Sequence, residues 1–475
     1  MTGVQTCALP IYSVQQLALA REHKDEPVDV ELSVELPADS GLQARGPLSA
    51  VLRICPDGRA AKIVFELYAS EVGDFPLAVV FRYDGVERIR ANRHIQVTEI
   101  EQASEQPSSQ VSLSLGIDAS RHFDGLLLRL CERDRSSSER HFDVILSGRA
   151  WGGRPLCDRM SLPADASALV AKLCRDMERS LRSAGSWSAR EFSMQGIGAD
   201  LASRMLPQSI LDALLQARWQ EGTPLHIESD DAWIPWEAMF LGAQRDTRGG
   251  QVGFFLGEHF AVTRWLRIGS AKEQVGGASA VMVAPTNSGL SVGKERAVLA
   301  EVTGQMPVEL SSLSDVQQCL RGQPSAQLLH FACHGQSSAD SVITETLILE
   351  GGELHATDVP LASPGQEGTL EGALVFLNAC QSGIEQLGLL RHSGWASKLL
   401  EAGVGAVVAP SWTVTDSGAM GFAEHFYRGA KAGMSLAEAA RQARRAIAHT
   451  GNLDRTGYAL YAAPTAQANF AAQPG

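Results

Sequence analysis

Two short segments of the chain carry side chains that could react together. They are His330–Gly335 (HFACHG) and Asn378–Gly383 (NACQSG), and each continues or follows an apolar run, Leu328–Ala332 and Ala373–Leu377. An apolar run that breaks at a glycine turn is typical of a buried parallel strand delivering a side chain to the carboxyl edge of a sheet. Neighbouring strands lie about 4.8 Å apart, so the segments could face each other across a ligand-binding crevice. A thiol beside an imidazole is the minimum apparatus of a cysteine nucleophile.

The bulk composition excludes several classes of protein. The 475 residues are 44% apolar and carry a net charge of -13 at pH 7, which argues against direct binding of nucleic acid or of an anionic membrane surface. No apolar run approaches the roughly 20 residues that span a bilayer. The first residues also lack the positive charge that opens a signal peptide. We therefore expect a cytoplasmic protein that does not bind membranes.

The eight cysteines predict neither a metal site nor a disulfide framework. No pair has CxxC spacing, so zinc binding has no support, and we expect no metal and no cofactor. A chain of this length does not need disulfides, which favours reduced thiols in a cytosol. Among the eight, only Cys380 lies at a strand-end turn with a histidine-bearing counterpart elsewhere, which makes it the candidate nucleophile.

The amino-terminal part is predicted to hold a foreign segment and a small β domain. Residues 1–12 include Thr2–Ile11, which resembles translated sequencing-adapter read-through. We exclude 1–12 from the fold and leave open whether the natural amino terminus lies further upstream. From 13 to 102, alternating strands such as Val28–Leu36 and turns such as Pro56–Gly58 predict a β-sandwich accessory domain. The polar residues 103–110 predict a linker.

The remaining residues, 111–475, alternate strand and helix patterns and predict an α/β fold. A mainly parallel sheet flanked by helices and joined by right-handed crossovers follows from that alternation. Residues 111–223 are predicted as an N-terminal subregion whose helices are Ala166–Ala184, with Asp165 as its N-cap, and Gly198–Trp219. Residues 224–475 are predicted as the core, where a capping box at Ser435–Glu438 opens a last helix.

Several motifs, in a fixed order, resemble those of the CHAT domain, a caspase/separase-like (clan CD) cysteine peptidase family. Besides the His330–Gly335 and Asn378–Gly383 segments, the resemblance covers a Pro-Trp-Glu signature, a helix and strand after the nucleophile, and a Trp-x-Val-x-Asp turn. These lie at Pro235–Glu237, Gly394–Ala406 and Trp412–Asp416. The order of the motifs carries the match, because each alone is weak. The resemblance implies a caspase-like α/β fold for 111–475, with 224–475 as the catalytic core.

The resemblance also implies the roles of individual residues. Cys380 would be the nucleophile and His334 the catalytic histidine. The backbone N–H groups of Gly335 and Cys380 would form the oxyanion hole, where such donors stabilise developing negative charge. No third catalytic residue is expected from the family.

Other residues in these motifs favour structural interpretations. In a regular strand Cys333 points away from His334, and His330 lies about 13 Å before it on the same face, so we expect both in the core. We expect Trp236 and Glu237 to support the sheet. Three arginines of the last helix are expected on a solvated face: Arg441, Arg444 and Arg445.

Asp416 has two interpretations that the sequence does not separate. In separase-like members an acidic residue in the corresponding turn lines the S1 pocket, where a carboxylate pairs with Arg or Lys at P1. The alternative is a helix N-cap, because Asp416 directly precedes the helical run Ser417–Arg428 and Asp is favoured there.

Two functions are carried forward. The first is a cysteine endopeptidase that cleaves protein substrates after Arg or Lys, with a role in bacterial defence or regulated cell death that the family resemblance alone implies. The second is a catalytically silent scaffold that binds a partner through the β-sandwich. The expected partners are a protein substrate and a regulatory or sensor protein.

Overall fold

The chain folds into two compact units, Met1–His122 and Phe123–Gly475. They are seen in a computed structural model that describes residues 28–36, 42–44, 48–54, 67–69, 73–83, 86–97, 124–135, 138–148, 150–151, 155–216, 219–229, 233–242, 253–266, 271–337, 345–360, 368–379 and 394–470. The predicted linker 103–110 lies outside these residues, as do residues 1–12, so the predicted domain boundaries stay predictions.

The regular elements among the described residues of the first unit are all strands. They are β1 (Val28–Glu35), β2 (Leu42–Ala44), β3 (Ser49–Ile54), β4 (Leu67–Ala69), β5 (Gly73–Tyr83) and β6 (Val86–Val97). An antiparallel sheet has the order β3-β1-β5-β6, and β2 pairs separately with β4. In β1, Leu32 and Val34 share a buried face, as the period of two predicts. The strands confirm a β domain, whereas its packing as a sandwich stays a prediction.

The second unit alternates strands and helices. Its strands are β7 (Leu126–Arg135), β8 (Glu139–Ser147), β9 (Leu156–Pro163), β10 (Pro224–Glu228), β11 (Phe240–Gly242), β12 (Gly253–Phe255), β13 (Ala261–Trp265), β14 (Gln274–Val275), β15 (Ala280–Val283), β16 (Val308–Leu310), β17 (Leu328–Ser337), β18 (Glu345–Leu349), β19 (Gly352–His355), β20 (Leu374–Ala379), β21 (Ala406–Pro410), β22 (Tyr458–Ala462) and β23 (Gln467–Ala468). Its helices are α1 (Ala166–Arg182), α2 (Trp187–Met205), α3 (Gln208–Leu214), α4 (Leu256–His259), α5 (Gly293–Thr303), α6 (Leu313–Leu320), α7 (Trp395–Glu401), α8 (Asp416–Lys431) and α9 (Leu436–His449), with 3-10 turns at Trp236–Ala238, Ala356–Asp358 and Leu453–Thr456.

One large sheet organises the second unit. Within the described residues its order is β16-β15-β17-β20-β21-β22-β13-β10-β7-β8-β9, and β18 and β19 extend it from β17. The pairs from β16 to β21 and from β22 to β7 are parallel, whereas β21–β22 and β7–β8–β9 are antiparallel. A mainly parallel sheet flanked by helices is therefore confirmed. The antiparallel strand β22 brings the end of the chain into the middle of the sheet.

Two apolar cores cover the two faces of β17, β20 and β21. One face carries Phe331, Cys333 and Leu377 and packs with α6 and α7. The other carries Ala332 and Phe376 and packs with α5, α8 and α9. Both faces of these strands are covered, which explains their nearly continuous apolar sequences.

The helices of the N-terminal subregion differ from their prediction. A single helix was predicted over Gly198–Trp219, but α2 begins at Trp187 and ends at Met205, and α3 begins at Gln208. Pro207 separates the two helices, since its ring removes an N–H donor and restricts the residue before it. Asp165 does occupy the N-cap position of α1, but its side chain makes no capping hydrogen bond.

A buried ion pair joins the Pro-Trp-Glu turn to the sheet. Arg264 of β13 donates to both carboxylate oxygens of Glu237, and it lies 3.3 Å from the Tyr461 hydroxyl of β22. Both charged side chains are at most 2% exposed. Burial by itself would lower the pKa of Arg264, but the nearby charge of Glu237 raises it. The structural role expected for Trp236 and Glu237 is confirmed by their burial.

The solvated face expected for the three arginines of α9 is wrong for two of them. Arg444 is fully buried and Arg441 nearly so, and only Arg445 is substantially exposed. Arg444 donates to the carbonyl oxygens of Gly257 at 3.3 Å and Tyr458 at 2.8 Å, and burial lowers its pKa to about 10. The sequence pattern of α9 could not show this, because the partners that satisfy Arg444 come from distant elements.

Substitution Glu237→Gln should destabilise the second unit strongly. It keeps the shape of the side chain but leaves the buried Arg264 guanidinium without its counter-charge, and breaking such a pair costs about 3–5 kcal/mol. Urea unfolding measures the loss. The control is Glu301→Gln, which breaks an exposed pair with Arg428 and should have little effect. Equal effects of the two substitutions would contradict this role of Glu237.

Candidate active site

The two strands predicted to carry the reactive pair are neighbours. β17 and β20 pair in parallel, with Ala332 opposite Asn378 and Cys333 opposite Ala379. The residue before His334 thus lies beside the residue before Cys380. Cys380 itself lies outside the described residues, so its role as nucleophile stays a prediction.

His334 lies half-buried on β17, and a main-chain group orients its ring. Its Nε2 is 2.7 Å from the carbonyl oxygen of Ser288, in the turn between β15 and α5. A carbonyl oxygen only accepts, so Nε2 carries the hydrogen in this bond. In the neutral ring Nδ1 is then the nitrogen that can accept a proton. The sequence could not identify Ser288, because it acts through its backbone and any residue type supplies the same carbonyl.

The turn that contains Ser288 is fixed in place by the hairpin of β18 and β19. Glu350, between β18 and β19, accepts hydrogen bonds from the Thr286 N–H at 2.8 Å, the Thr286 hydroxyl at 2.5 Å and the Ser311 hydroxyl at 3.0 Å. These hydrogen bonds lower the pKa of Glu350, and the bond from the Thr286 hydroxyl contributes most. Because β18 pairs with β17 at His334, one hairpin supports both the histidine and the carbonyl that orients it.

Gly335 follows His334 on β17, is buried and pairs with Leu347 of β18. A glycine allows close approach of another backbone at such a position. The oxyanion hole predicted from Gly335 and Cys380 stays a prediction, because Cys380 lies outside the described residues.

The core positions expected for His330 and Cys333 are confirmed. Both are fully buried, and they lie on opposite faces of β17, as their odd spacing requires. Cys333 packs in the core beside α6 and α7, and burial raises the pKa of its thiol to about 12. Cys333 is therefore poorly suited to nucleophilic chemistry.

Asp416 is exposed at the start of α8, but it is not the N-cap. Thr415 occupies that position, and its hydroxyl accepts a hydrogen bond from the Gly418 N–H. The interpretation of Asp416 as N-cap is therefore wrong by one residue. Thr is also a good cap, and the pattern could not distinguish two adjacent capping residues.

Two buried carboxylates anchor the Trp412–Asp416 turn. Glu178 of α1 accepts from the Thr413 N–H at 2.6 Å, and Asp454 accepts from the Thr415 N–H at 2.9 Å and from its hydroxyl. Burial raises the pKa of both carboxyls, although these hydrogen bonds partly oppose the shift. The turn that presents Asp416 thus has a fixed backbone. The motif match did not suggest Glu178 or Asp454, which lie far from the turn in sequence.

The described part of the chain holds neither a metal-binding cluster nor a membrane-spanning helix. No group of three or more His, Cys, Asp or Glu side chains there could hold a metal ion. No described helix is both long and apolar enough to cross a bilayer.

Comparisons with known proteins identify a family and several distant structures. The family model described as the CHAT domain matches residues 196–472. A crystal structure of the Saccharomyces cerevisiae separase-securin complex is 10% identical, with a TM-score of 0.40, over 71% of this chain and 30% of the matched chain. The Arg specific cysteine proteinase gingipain R is 11% identical, with a TM-score of 0.36, over 58% of this chain and 74% of that chain.

A third structure, the complex of Porphyromonas gingivalis RgpB pro- and mature domains, is 12% identical, with a TM-score of 0.37, over 64% of this chain and 78% of that chain. This chain therefore spans less than a third of the chain matched in the separase complex. No curated protein is similar enough to count as a match.

The thiol of Cys333 should resist alkylation in the folded protein. A pKa of about 12 leaves on the order of 10⁻⁵–10⁻⁴ of the thiol ionised at neutral pH, and the side chain is inaccessible. Iodoacetamide treatment followed by peptide mass spectrometry should therefore label the exposed Cys157 and spare Cys333. Both should react after denaturation. Labelling of Cys333 in the folded protein as fast as Cys157 would show that its burial is not as described.

Proposed function

Because the chain belongs to the CHAT domain family, whose model matches more than half of its residues, we propose that it is a cysteine endopeptidase that cleaves protein substrates through His334 and Cys380. The observation that carries this proposal is the orientation of His334. Its Nε2 is engaged by the Ser288 carbonyl, and its strand pairs with the strand that leads into Cys380. This support comes from Ser288 and His334, which are 46 residues apart in the sequence and meet at one edge of the sheet.

The proposed reaction proceeds in two steps. The Cys380 thiolate attacks the carbonyl carbon of the scissile peptide bond, and the N–H groups of Gly335 and Cys380 bind the resulting oxyanion. Collapse of this intermediate breaks the C–N bond, and the His334 imidazolium gives its proton to the leaving amine. Water then attacks the thioester while His334 takes a proton from it. Collapse of the second intermediate releases the carboxylic acid and regenerates the Cys380 thiolate and the His334 imidazolium, so atoms and charges balance.

We also propose that Asp416 selects a basic P1 residue. Its carboxylate is exposed at the start of α8, and Thr415 already supplies the cap, so capping does not account for Asp416. The buried carboxylates under the turn fix its backbone. A fixed carboxylate pairs well with the guanidinium or ammonium group of a substrate side chain. A favourable interaction with the helix dipole is compatible with this role.

We further propose a protein substrate and a regulatory or sensor protein as partners, with a cytoplasmic location and a role in bacterial defence or regulated cell death. The net charge of -13 supports partners other than nucleic acid or anionic membranes. The cellular role rests on the family resemblance alone.

Substitutions Cys380→Ala and His334→Ala should each abolish peptide cleavage. Removing a nucleophile or its base costs about 10⁶ in kcat in a comparable hydrolase. A fluorogenic Arg or Lys peptide measures the rate. The matched control is Cys157→Ala, which removes an exposed thiol and should leave the rate unchanged. Cleavage that survives in Cys380→Ala would contradict the proposed nucleophile, and a parent chain that is inactive under every activator tested would favour the scaffold.

Substitution Asp416→Asn should weaken the preference for Arg and Lys without unfolding the protein. Loss of a charge-assisted hydrogen bond worth about 1.5–3 kcal/mol corresponds to a drop of roughly 10- to 150-fold in kcat/KM for basic over neutral P1 peptides. The control is Glu424→Gln, which removes a negative charge further along α8, in an ion pair with Arg428, and should leave both stability and P1 preference nearly unchanged. An Asp416→Asn variant that still prefers basic residues would exclude the pocket role.

A further inference from the structure

A chain of buried polar side chains lies on the face of the sheet that carries His334. It consists of Tyr458, Asn378, Glu295, His330 and Tyr427 and is called here the Glu295 network. Its members come from β22, β20, α5, β17 and α8. The proposed reaction uses none of them, and buried polar groups of this kind are costly unless they are satisfied.

Asn378 has both ends of its side-chain amide engaged. The Tyr458 hydroxyl donates to its Oδ1 at 2.7 Å, and its Nδ2 donates to Glu295 Oε1. The asparagine is only 3% exposed. Its amide is therefore held from β22 on one side and from α5 on the other, which fixes the position of the end of β20.

His330 connects the same carboxylate to the neighbouring strand. Its Nε2 lies within ion-pair distance of Glu295 Oε1, at 3.4 Å, but does not have hydrogen-bond geometry, and its Nδ1 lies 3.0 Å from the Tyr427 hydroxyl. Burial, together with the charge of Glu295, raises the pKa of Tyr427, so this hydroxyl keeps its proton and can donate it to Nδ1. Nε2 then carries the ring hydrogen.

One carboxylate oxygen of Glu295 thus contacts the two strands of the proposed dyad. Asn378 lies on β20, two residues before Cys380 in the sequence, and His330 lies on β17, four residues before His334. Even spacing along β17 places the side chains of His330 and His334 on the same face. The register pairs Ala332 with Asn378, so Asn378 lies beside β17 two residues before His334.

We propose that Glu295, His330 and Asn378 are positioning residues that hold β17 and β20 in the register needed for His334 to activate Cys380. This inference rests on the proposed function, since it takes Cys380 as the nucleophile. The residues would act through the strands that they fix and would not touch the substrate. A misplacement of about 1 Å can cost 10²-fold in rate, so a small relaxation of this contact would suffice to reduce activity.

Two variants test the network, with thiol reactivity as a readout that needs no peptide substrate. Glu295→Gln keeps the shape and the acceptor oxygen but removes the charge that strengthens both contacts. His330→Leu removes the ring nitrogens. In each variant we expect Cys380 alkylation by iodoacetamide at about pH 6.5 to fall about tenfold, because a displaced thiol loses the imidazolium that favours its thiolate. We also expect kcat on an Arg or Lys peptide to fall about 10- to 100-fold with KM nearly unchanged.

The matched control is His226→Leu. His226 is a second buried histidine of the same sheet, on β10, with its Nδ1 2.8 Å from the Thr263 hydroxyl on the adjacent strand β13. In the sheet order β10 lies four strands from β20, about 19 Å away at the usual strand spacing. This substitution should lower the melting temperature while Cys380 alkylation and kcat stay within about twofold of the parent.

The outcomes separate positioning from stability and from the proposed function. If both variants fold and alkylate Cys380 at the parental rate, the positioning role is wrong, whether or not the parent cleaves peptides. If alkylation slows in both variants but not in His226→Leu, the positioning role is supported, even if no peptide is cleaved and the proposed function fails. Because Glu295→Gln preserves the side-chain shape, it keeps the test decisive should His330→Leu not fold.

Discussion

The second unit depends on how its buried charges are neutralised. A charge moved into a protein interior costs several kcal/mol unless an opposite charge and hydrogen bonds meet it. Glu237 meets this requirement for Arg264 of β13 and lies 3.9 Å from Arg444 of α9. Since these residues come from a turn, a strand and a helix, neutralisation requires all three elements to hold one arrangement. All three residues belong to the predicted core, 224–475, in which β13 lies between β22 and β10.

Strand β22 connects this ion pair to the candidate active site. Its Tyr461 accepts a hydrogen bond from Arg264, whereas its Tyr458 donates one to Asn378 of β20. The two tyrosines lie on opposite faces of the strand, in different cores, as their odd spacing requires. One short strand therefore links the interaction that holds the unit together with the network beneath His334. Its antiparallel direction brings Tyr458 to the same edge of the sheet as Asn378.

Local patterns made some of this structure predictable. The apolar runs identified β17 and β20, and the Ser435 capping box located the start of α9, where the Ser435 hydroxyl does accept from the Glu438 N–H. Contacts between distant residues were not predictable. Glu295 and Asn378 are 83 residues apart, and Ser288 acts through a carbonyl that every residue type possesses. Arg444 has the side chain of a surface residue, and only its partners in the folded chain explain its burial.

The anchoring of the Trp412–Asp416 turn has a consequence for modularity. The motifs most specific to the family lie after residue 224, which suggests a self-contained catalytic module. The carboxylate that accepts from the Thr413 N–H, however, is supplied by Glu178, and strands β7 to β9 belong to the same sheet as β17 and β20. A fragment cut at 224 would lose an anchor of this turn and an edge of its sheet. The smallest part of the chain that recombination or engineering could exchange without rebuilding the site therefore begins near Phe123, where the second compact unit begins.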